Sequence, residues 1–168
     1  LLEDDISLKE LLELNIAVPR YTSYPTANLW EPKNPILYQK ELKVLGKSKR
    51  EISLYFHIPF CKTMCLYCAC SVILNRKAEK QREYVDYLIK EIHLLADTLD
   101  YKPLITQLHF GGGTPTSLKD SEFREILGAL EERFSLDLSQ EISIEIDPRT
   151  VFEDEGKKLK ELKMMGFN

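Results

Sequence analysis

The chain has 168 residues, 43% of them apolar, and 27 acidic against 23 basic side chains give a net charge of −4. That length suits one domain with its own core, and the acidic balance argues against a general nucleic-acid binder. No apolar run approaches the roughly 18–20 residues of a membrane span, and LLEDDISLKE at the start lacks the features of a signal peptide, so no membrane role and a cytoplasmic location are expected.

Ser7-Leu8-Lys9-Glu10 has capping-box spacing and opens a short helix with Leu8, Leu11 and Leu12 on one side. Pro19-Arg20-Tyr21-Thr22-Ser23-Tyr24-Pro25-Thr26 reads as extended. Asn34-Pro35 is a good cap and first-turn pair for a second helix reaching about Gly46. From residue 51 the pattern becomes regular. Ile52–Ile58 is strand-like, and 78–99 form a long helix with Tyr84, Leu88, Ile92 (or Leu95) and Leu99 near one stripe. Leu104–Phe110 is a second strand, and Asp120 or Ser121 caps a helix through about Arg133. Glu141–Ile146 alternates as a third strand, and Glu153–Met165 is a helix stopped by Gly166. The alternation β-α-β-α-β-α predicts an α/β fold with parallel strands and right-handed crossovers. The absence of an initiating Met and the stop straight after a helical pattern suggest an excerpt of a longer protein.

Three unusual segments follow the three strands. The cysteine loop follows the first, Gly111-Gly112-Gly113-Thr114-Pro115-Thr116 the second, and Glu145 with Asp147-Pro148-Arg149 closes the third. All should emerge at the carboxyl edge of the sheet, where parallel α/β folds bind ligands.

All four cysteines fall in one window, spaced Cys61-x3-Cys65-x2-Cys68-x-Cys70. Spread-out cysteines would suit a disulfide framework; a cluster this tight reads as a metal site. A zinc knuckle would need Cys70 as its fourth ligand, yet in an extended segment Cys68 and Cys70 point to opposite faces. An iron–sulfur cube is easier to build, since each thiolate takes a different iron. With Cys61, Cys65 and Cys68 as ligands, one iron stays open to bind a substrate or cofactor. Free thiols are the remaining alternative. The glycine loop on its own could be a tight turn, and it lacks the lysine of a phosphate-binding loop; beside a cluster, its glycines permit close approach of backbone to ligand. Glu145 alone would read as a solvated strand charge, and its place at the carboxyl end favours a ligand-facing role. Asp147 with Arg149 could be an ion pair or a helix cap. His57 and His109, at the ends of two strands, are more often structural than ligands.

The cysteine spacing, with Tyr67 before the last ligand, resembles the cluster loop of radical S-adenosylmethionine enzymes. The segments Tyr55-x-His57-Ile58-Pro59-Phe60-Cys61, Gln107–Thr116, Glu141–Pro148 and Pro19–Thr26 resemble, more narrowly, the oxygen-independent coproporphyrinogen III oxidases. Cys70 and the upstream segment carry that distinction from related haem chaperones. Two departures are Tyr67, where that family usually has Phe, and Ala69, where it usually has Gly.

The resemblance implies a partial (β/α) barrel of the radical S-adenosylmethionine type, of which 51–168 would be the first three βα units, with 1–50 as a helical and extended segment covering the site. It implies a [4Fe-4S] cluster on Cys61, Cys65 and Cys68, and S-adenosyl-L-methionine on that cluster contacted by Tyr55, Gly112 and Glu145. A second S-adenosylmethionine would meet Tyr67, Gly113 and Thr114. The implied reaction converts two propionates of coproporphyrinogen III to vinyl groups through a 5′-deoxyadenosyl radical, yielding protoporphyrinogen IX for haem synthesis. The implied partners are this porphyrinogen and an unidentified electron donor and acceptor. The full-length protein is expected to be a monomer, and the fragment alone inactive. A haem chaperone and an anaerobic haem-degrading methyltransferase are the alternatives with a similar cluster loop.

Overall fold

The structure, a computed structural model, describes residues 7–13, 29–32, 34–66, 68, 70–75, 77–152 and 155–168. The expectations for Pro19–Thr26, Tyr67 and Ala69 lie outside the described residues. The chain divides into two units, Leu1–Asn34 and Pro35–Asn168. In the first, α1 (Leu8–Glu13) stands directly after Ser7, where the capping-box spacing puts it.

The second unit runs through α2 (Pro35–Ser48), β1 (Ile52–Ile58), β2 (Phe60–Cys61), β3 (Ile73–Leu74), α3 (Ala78–Leu99) and β4 (Leu104–Gly112). A 3-10 turn at Pro115–Ser117 then leads to α4 (Asp120–Arg133), β5 (Ser135–Ile144), α5 (Pro148–Phe152) and α6 (Lys157–Met164). The main sheet has the order β1-β4-β5 and is parallel throughout. The predicted α/β alternation is therefore the observed one, and no helix among the described residues is long and apolar enough to cross a membrane.

Besides β4, which runs on from Phe110 to Gly112, four elements differ in their bounds from expectation, each for a local reason. The second helix does not stop at Gly46: that glycine lies so close to the Leu99 carbonyl of α3 that a β-carbon would collide with its backbone. Glycine here serves helix–helix approach, and the helix ends where Lys49 turns left-handed at φ 49°. The cap of α4 is Lys119, ahead of the predicted Asp120 or Ser121, because the Glu122 carboxylate reaches back to accept the Lys119 N–H at 2.8 Å. The third strand runs over Ser135–Ile144 rather than Glu141–Ile146. Ser135 and Leu136 pair with Leu104 and Ile105, and the register then shifts before Glu141 meets Gln107. In the shifted stretch, Asp137 accepts from the Ser139 N–H and hydroxyl and from Gln140. The last helix begins at Lys157 rather than Glu153, since Glu155 (φ 55°) and Gly156 (φ 76°) are successive left-handed residues that no α-helix accommodates, and the short α5 before it was not expected. Gly166, at φ 99°, does end α6, with the Phe167 N–H returning to the Leu162 carbonyl.

Strand alternation separates the two faces of the sheet. Ile52, Phe56 and Ile58 of β1, Ile105, Leu108 and Phe110 of β4, and Ile142 of β5 are buried with the apolar stripes of α3 and α4. Phe110, with no exposed surface, stacks on Phe56 (centroids 4.9 Å) and meets Phe123 and Phe167 edge-on. Burying such a ring is worth roughly 1.5–3 kcal/mol. On α3 the buried stripe is Val85, Leu88, Ile92, Ala96 and Leu99, with Tyr84 at its margin. The opposite face is polar, and register aligns it in rungs: Ser53 through Gln107 to Glu141, then Tyr55 through His109 to Ser143.

Candidate functional site

The cysteine loop is tied at both ends. β2 and β3 pair in parallel, with the Ile73 N–H on the Pro59 carbonyl (2.7 Å) and the Asn75 N–H on the Cys61 carbonyl (3.0 Å). Residues between them must close a loop whose ends are fixed to the carboxyl end of β1. Inside it, the Cys68 N–H turns back to the Cys65 carbonyl at 3.1 Å. The buried Cys61 sulfur lies 3.2 Å from the Thr114 hydroxyl, and Arg149 Nη2 donates to Cys65 Sγ at 3.2 Å. Cys70 is exposed, and loss of solvent followed by the neighbouring Cys68 pushes its thiol pKa up.

The glycine loop closes onto the same place. The Gly113 N–H donates to the Ile58 carbonyl (2.8 Å) and the Thr114 N–H to the Phe60 carbonyl (2.9 Å), zipping the loop along the start of the cysteine segment. A β-carbon on Gly113 would stand 2.8 Å from the Pro59 carbonyl oxygen and 3.0 Å from Cys61 Sγ. Only glycine lets these two loops touch. Gly112 needs its glycine for a second reason, a left-handed φ of 116°.

Glu145 sits one residue past β5, its N–H still on the Phe110 carbonyl at 2.9 Å, so the strand's course continues to it. Its side chain returns to the glycine loop, where Oε2 accepts the Gly112 N–H at 2.9 Å. Its other oxygen faces His109 Nε2 at 3.8 Å. Ser143 gives its hydroxyl proton to Glu141 Oε1 at 3.1 Å and therefore accepts from His109 Nδ1–H at 2.8 Å. Tyr55 stacks on the His109 ring (centroids 5.7 Å) and places its hydroxyl 3.1 Å from His57 Nδ1. Burial raises the Tyr55 phenol pKa, with Glu145 and then Cys70 adding to it, so the hydroxyl keeps its proton at neutral pH.

Three strands thus deliver thiols, a glycine backbone and a carboxylate to one edge. Residues 55–168 match the Radical SAM superfamily. The chain belongs to the radical SAM superfamily. It is also 38% identical over 157 residues to oxygen-independent coproporphyrinogen III oxidase of Pseudomonas aeruginosa, covering 92% of this chain and 34% of that protein. To the enzyme of that name from Helicobacter pylori strain 26695 it is 41% identical over 140 residues, covering 78% of this chain and 30% of the relative. A solved structure described as coproporphyrinogen III oxidase from Escherichia coli, a radical SAM enzyme, superposes with a TM-score of 0.75 at 38% identity, over 88% of this chain and 33% of that one. The chain spans about a third of the length of these relatives.

Membership in the radical SAM superfamily implies a [4Fe-4S] cluster and S-adenosylmethionine, and the donor set suits them. Among the described residues, no group of three or more His, Cys, Asp or Glu is gathered closely enough for one metal ion, as a zinc knuckle would require. A cube with each thiolate on a different iron makes no such demand. Of the residues singled out from sequence, Tyr55, Gly112 and Glu145 form one contiguous group, and Cys61, Gly113 and Thr114 another beside it.

Sequence reasoning did not single out Gly111 or Ser143, and it read His109 as more often structural than a ligand. A β-carbon at Gly111 would press on Tyr55 and Glu145 at 2.8–3.0 Å, so this glycine keeps the space between them. Strand alternation does put His109 and Gly111 on one face; their partners across β1 and β5 require the register, which no single strand states. Asp147 and Arg149 form both an ion pair and a cap: Nη2 meets Oδ2 at 2.7 Å while Oδ1 accepts the Arg149 N–H at the start of α5.

Proposed function

We propose that this chain is the cluster- and cofactor-holding part of an oxygen-independent coproporphyrinogen III oxidase. The observation that carries this reading is the convergence of the cysteine loop, the glycine loop and Glu145 at one carboxyl edge, in a chain similar to relatives of that name.

Cys61, Cys65 and Cys68 would hold the [4Fe-4S] cluster, leaving one iron open. When bound, the cluster supplies one electron to S-adenosylmethionine and hence a hydrogen-abstracting radical. Tyr55, Gly112 and Glu145 would bind and orient that cofactor; a carboxylate already accepting a backbone N–H is pre-set to take an ammonium group. Gly113, Thr114 and Tyr67 would meet a second S-adenosylmethionine. Each propionate loses one hydrogen atom, carbon dioxide and one electron, which passes to an unidentified acceptor, and becomes a vinyl group. We further propose a monomeric cytoplasmic protein.

The test is anaerobic incubation of the reconstituted full-length protein with coproporphyrinogen III, S-adenosylmethionine and a reductant, with products separated by chromatography. Protoporphyrinogen IX is the expected product. Tight haem binding without turnover would point instead to a chaperone, and consumption of haem to a degrading methyltransferase.

A further inference from the structure

Arg149, where α5 meets the cysteine loop, has no part in the reading above. Arg149 is clamped there by its neighbour: Nε lies 3.0 Å from both Asp147 oxygens, and Nη2 lies 2.7 Å from Oδ2. Asp147 is itself held, since its Oδ1 accepts the Arg149 N–H at 3.0 Å and its carbonyl caps Thr150. A guanidinium is planar, so fixing one edge fixes the direction of every remaining N–H. From Nη2 the remaining direction leads to Cys65 Sγ, at 3.2 Å.

We propose that Arg149 is a positioning residue for the cluster's electronics: its N–H to Cys65 Sγ raises the reduction potential of the bound [4Fe-4S] cluster. The inference rests on the reading of Cys65 as a ligand. An N–H aimed at a ligating sulfur draws off negative charge and so favours the reduced state, which carries one more electron. That electron comes from an external low-potential one-electron donor, and no bond forms or breaks when it arrives. Asp147 nearly cancels the net charge of Arg149, so the directed hydrogen bond, a short-range influence, is what acts at the sulfur. It also makes the three ligands unequal. Cys61 has the neutral hydroxyl of Thr114 beside it, whereas Cys65 has a cationic donor.

The experiment is a redox titration of the anaerobically reconstituted full-length protein, followed by electron paramagnetic resonance, in wild type, Arg149→Met and a control, Arg124→Met. Arg124 pairs with Glu161 on the helical surface. Iron and sulfide content is measured on each. Arg149→Met should shift the midpoint to more negative potential at unchanged cluster content, and Arg124→Met should leave it in place. Equal midpoints in all three would overturn the inference while leaving the cluster reading intact. Where Arg149→Met does not load, Arg149→Lys, which keeps the cation and loses the planar fork, should also titrate below wild type; a wild-type midpoint there would overturn it. A wild type that takes up no cluster contradicts the functional reading, and this inference with it.

Discussion

The two faces of the β1-β4-β5 sheet are written on alternate residues of the same strands, yet they are organised on different principles. On one, Phe56, Leu108, Phe110 and Ile142 meet α3 and α4 in a closed apolar core. On the other, Tyr55, His109, Ser143 and Glu145 are joined by directed contacts: a ring stack, a hydrogen bond to a hydroxyl, and a carboxylate on a backbone N–H. The first face is held by area removed from water, which is non-directional and tolerant of small shifts. The second depends on angles and distances, so it contributes less to stability and more to where individual atoms stand. Stability and function are thereby separable within a single strand. Phe110 and His109 are adjacent in β4 and belong to different systems.

Substitutions should separate the faces in the full-length chain. Phe110→Ala removes a fully buried ring and should cost about 3–5 kcal/mol in urea unfolding. Glu145→Ala should leave the unfolding midpoint nearly unchanged but weaken S-adenosylmethionine binding by roughly ten- to a hundredfold. That is the equivalent of about 1.5–3 kcal/mol for a hydrogen bond to a charged group, and isothermal titration on the cluster-loaded protein reads it. Unaltered affinity would return Glu145 to a solvated strand charge. Ser143→Ala removes the hydroxyl that holds His109 and should cost about 1 kcal/mol of stability or less, with a smaller loss of affinity than Glu145→Ala. An equal or larger loss would break the order of contacts described here.

The smallest effect is a pH dependence. Hydrogen bonds from Arg149 hold the Asp147 carboxyl below the usual aspartate range. A lowered folded-state pKa stabilises above the unfolded value, about 3.9, and that contribution fades as pH falls through the folded value. Asp147→Asn should therefore lower the melting temperature slightly at pH 7, by an amount constant down to about pH 5 and shrinking below about pH 4. A difference that grows on acidification would contradict the pairing.

Much of this arrangement was legible in the sequence, for physical reasons. The strand over Ile52–Ile58 and the helix over Ala78–Leu99 carry long, regular patterns and stand where predicted. The unusual residues at the ends of three strands declared the carboxyl edge, because parallel order forces those ends together. Harder to read was whatever depends on a left-handed residue or on register. Glu155 gives no compositional sign of its positive φ, so the start of α6 at Lys157 rather than Glu153 was hidden. Gly46 looked like a stop, yet its role is contact with Leu99, a residue far away in sequence. The partner of Arg149 was equally invisible: adjacency suggests Asp147, whereas nothing in the local sequence suggests Cys65.

The central claim is that three loops at one edge build a cluster site with an open iron beside a cofactor-binding carboxylate. Low-temperature electron paramagnetic resonance of the reduced, anaerobically reconstituted full-length protein, with and without S-adenosylmethionine, tests it most directly. The account predicts a [4Fe-4S] signal that shifts when the cofactor is added. A signal indifferent to the cofactor, or stoichiometric zinc in place of iron, would contradict it.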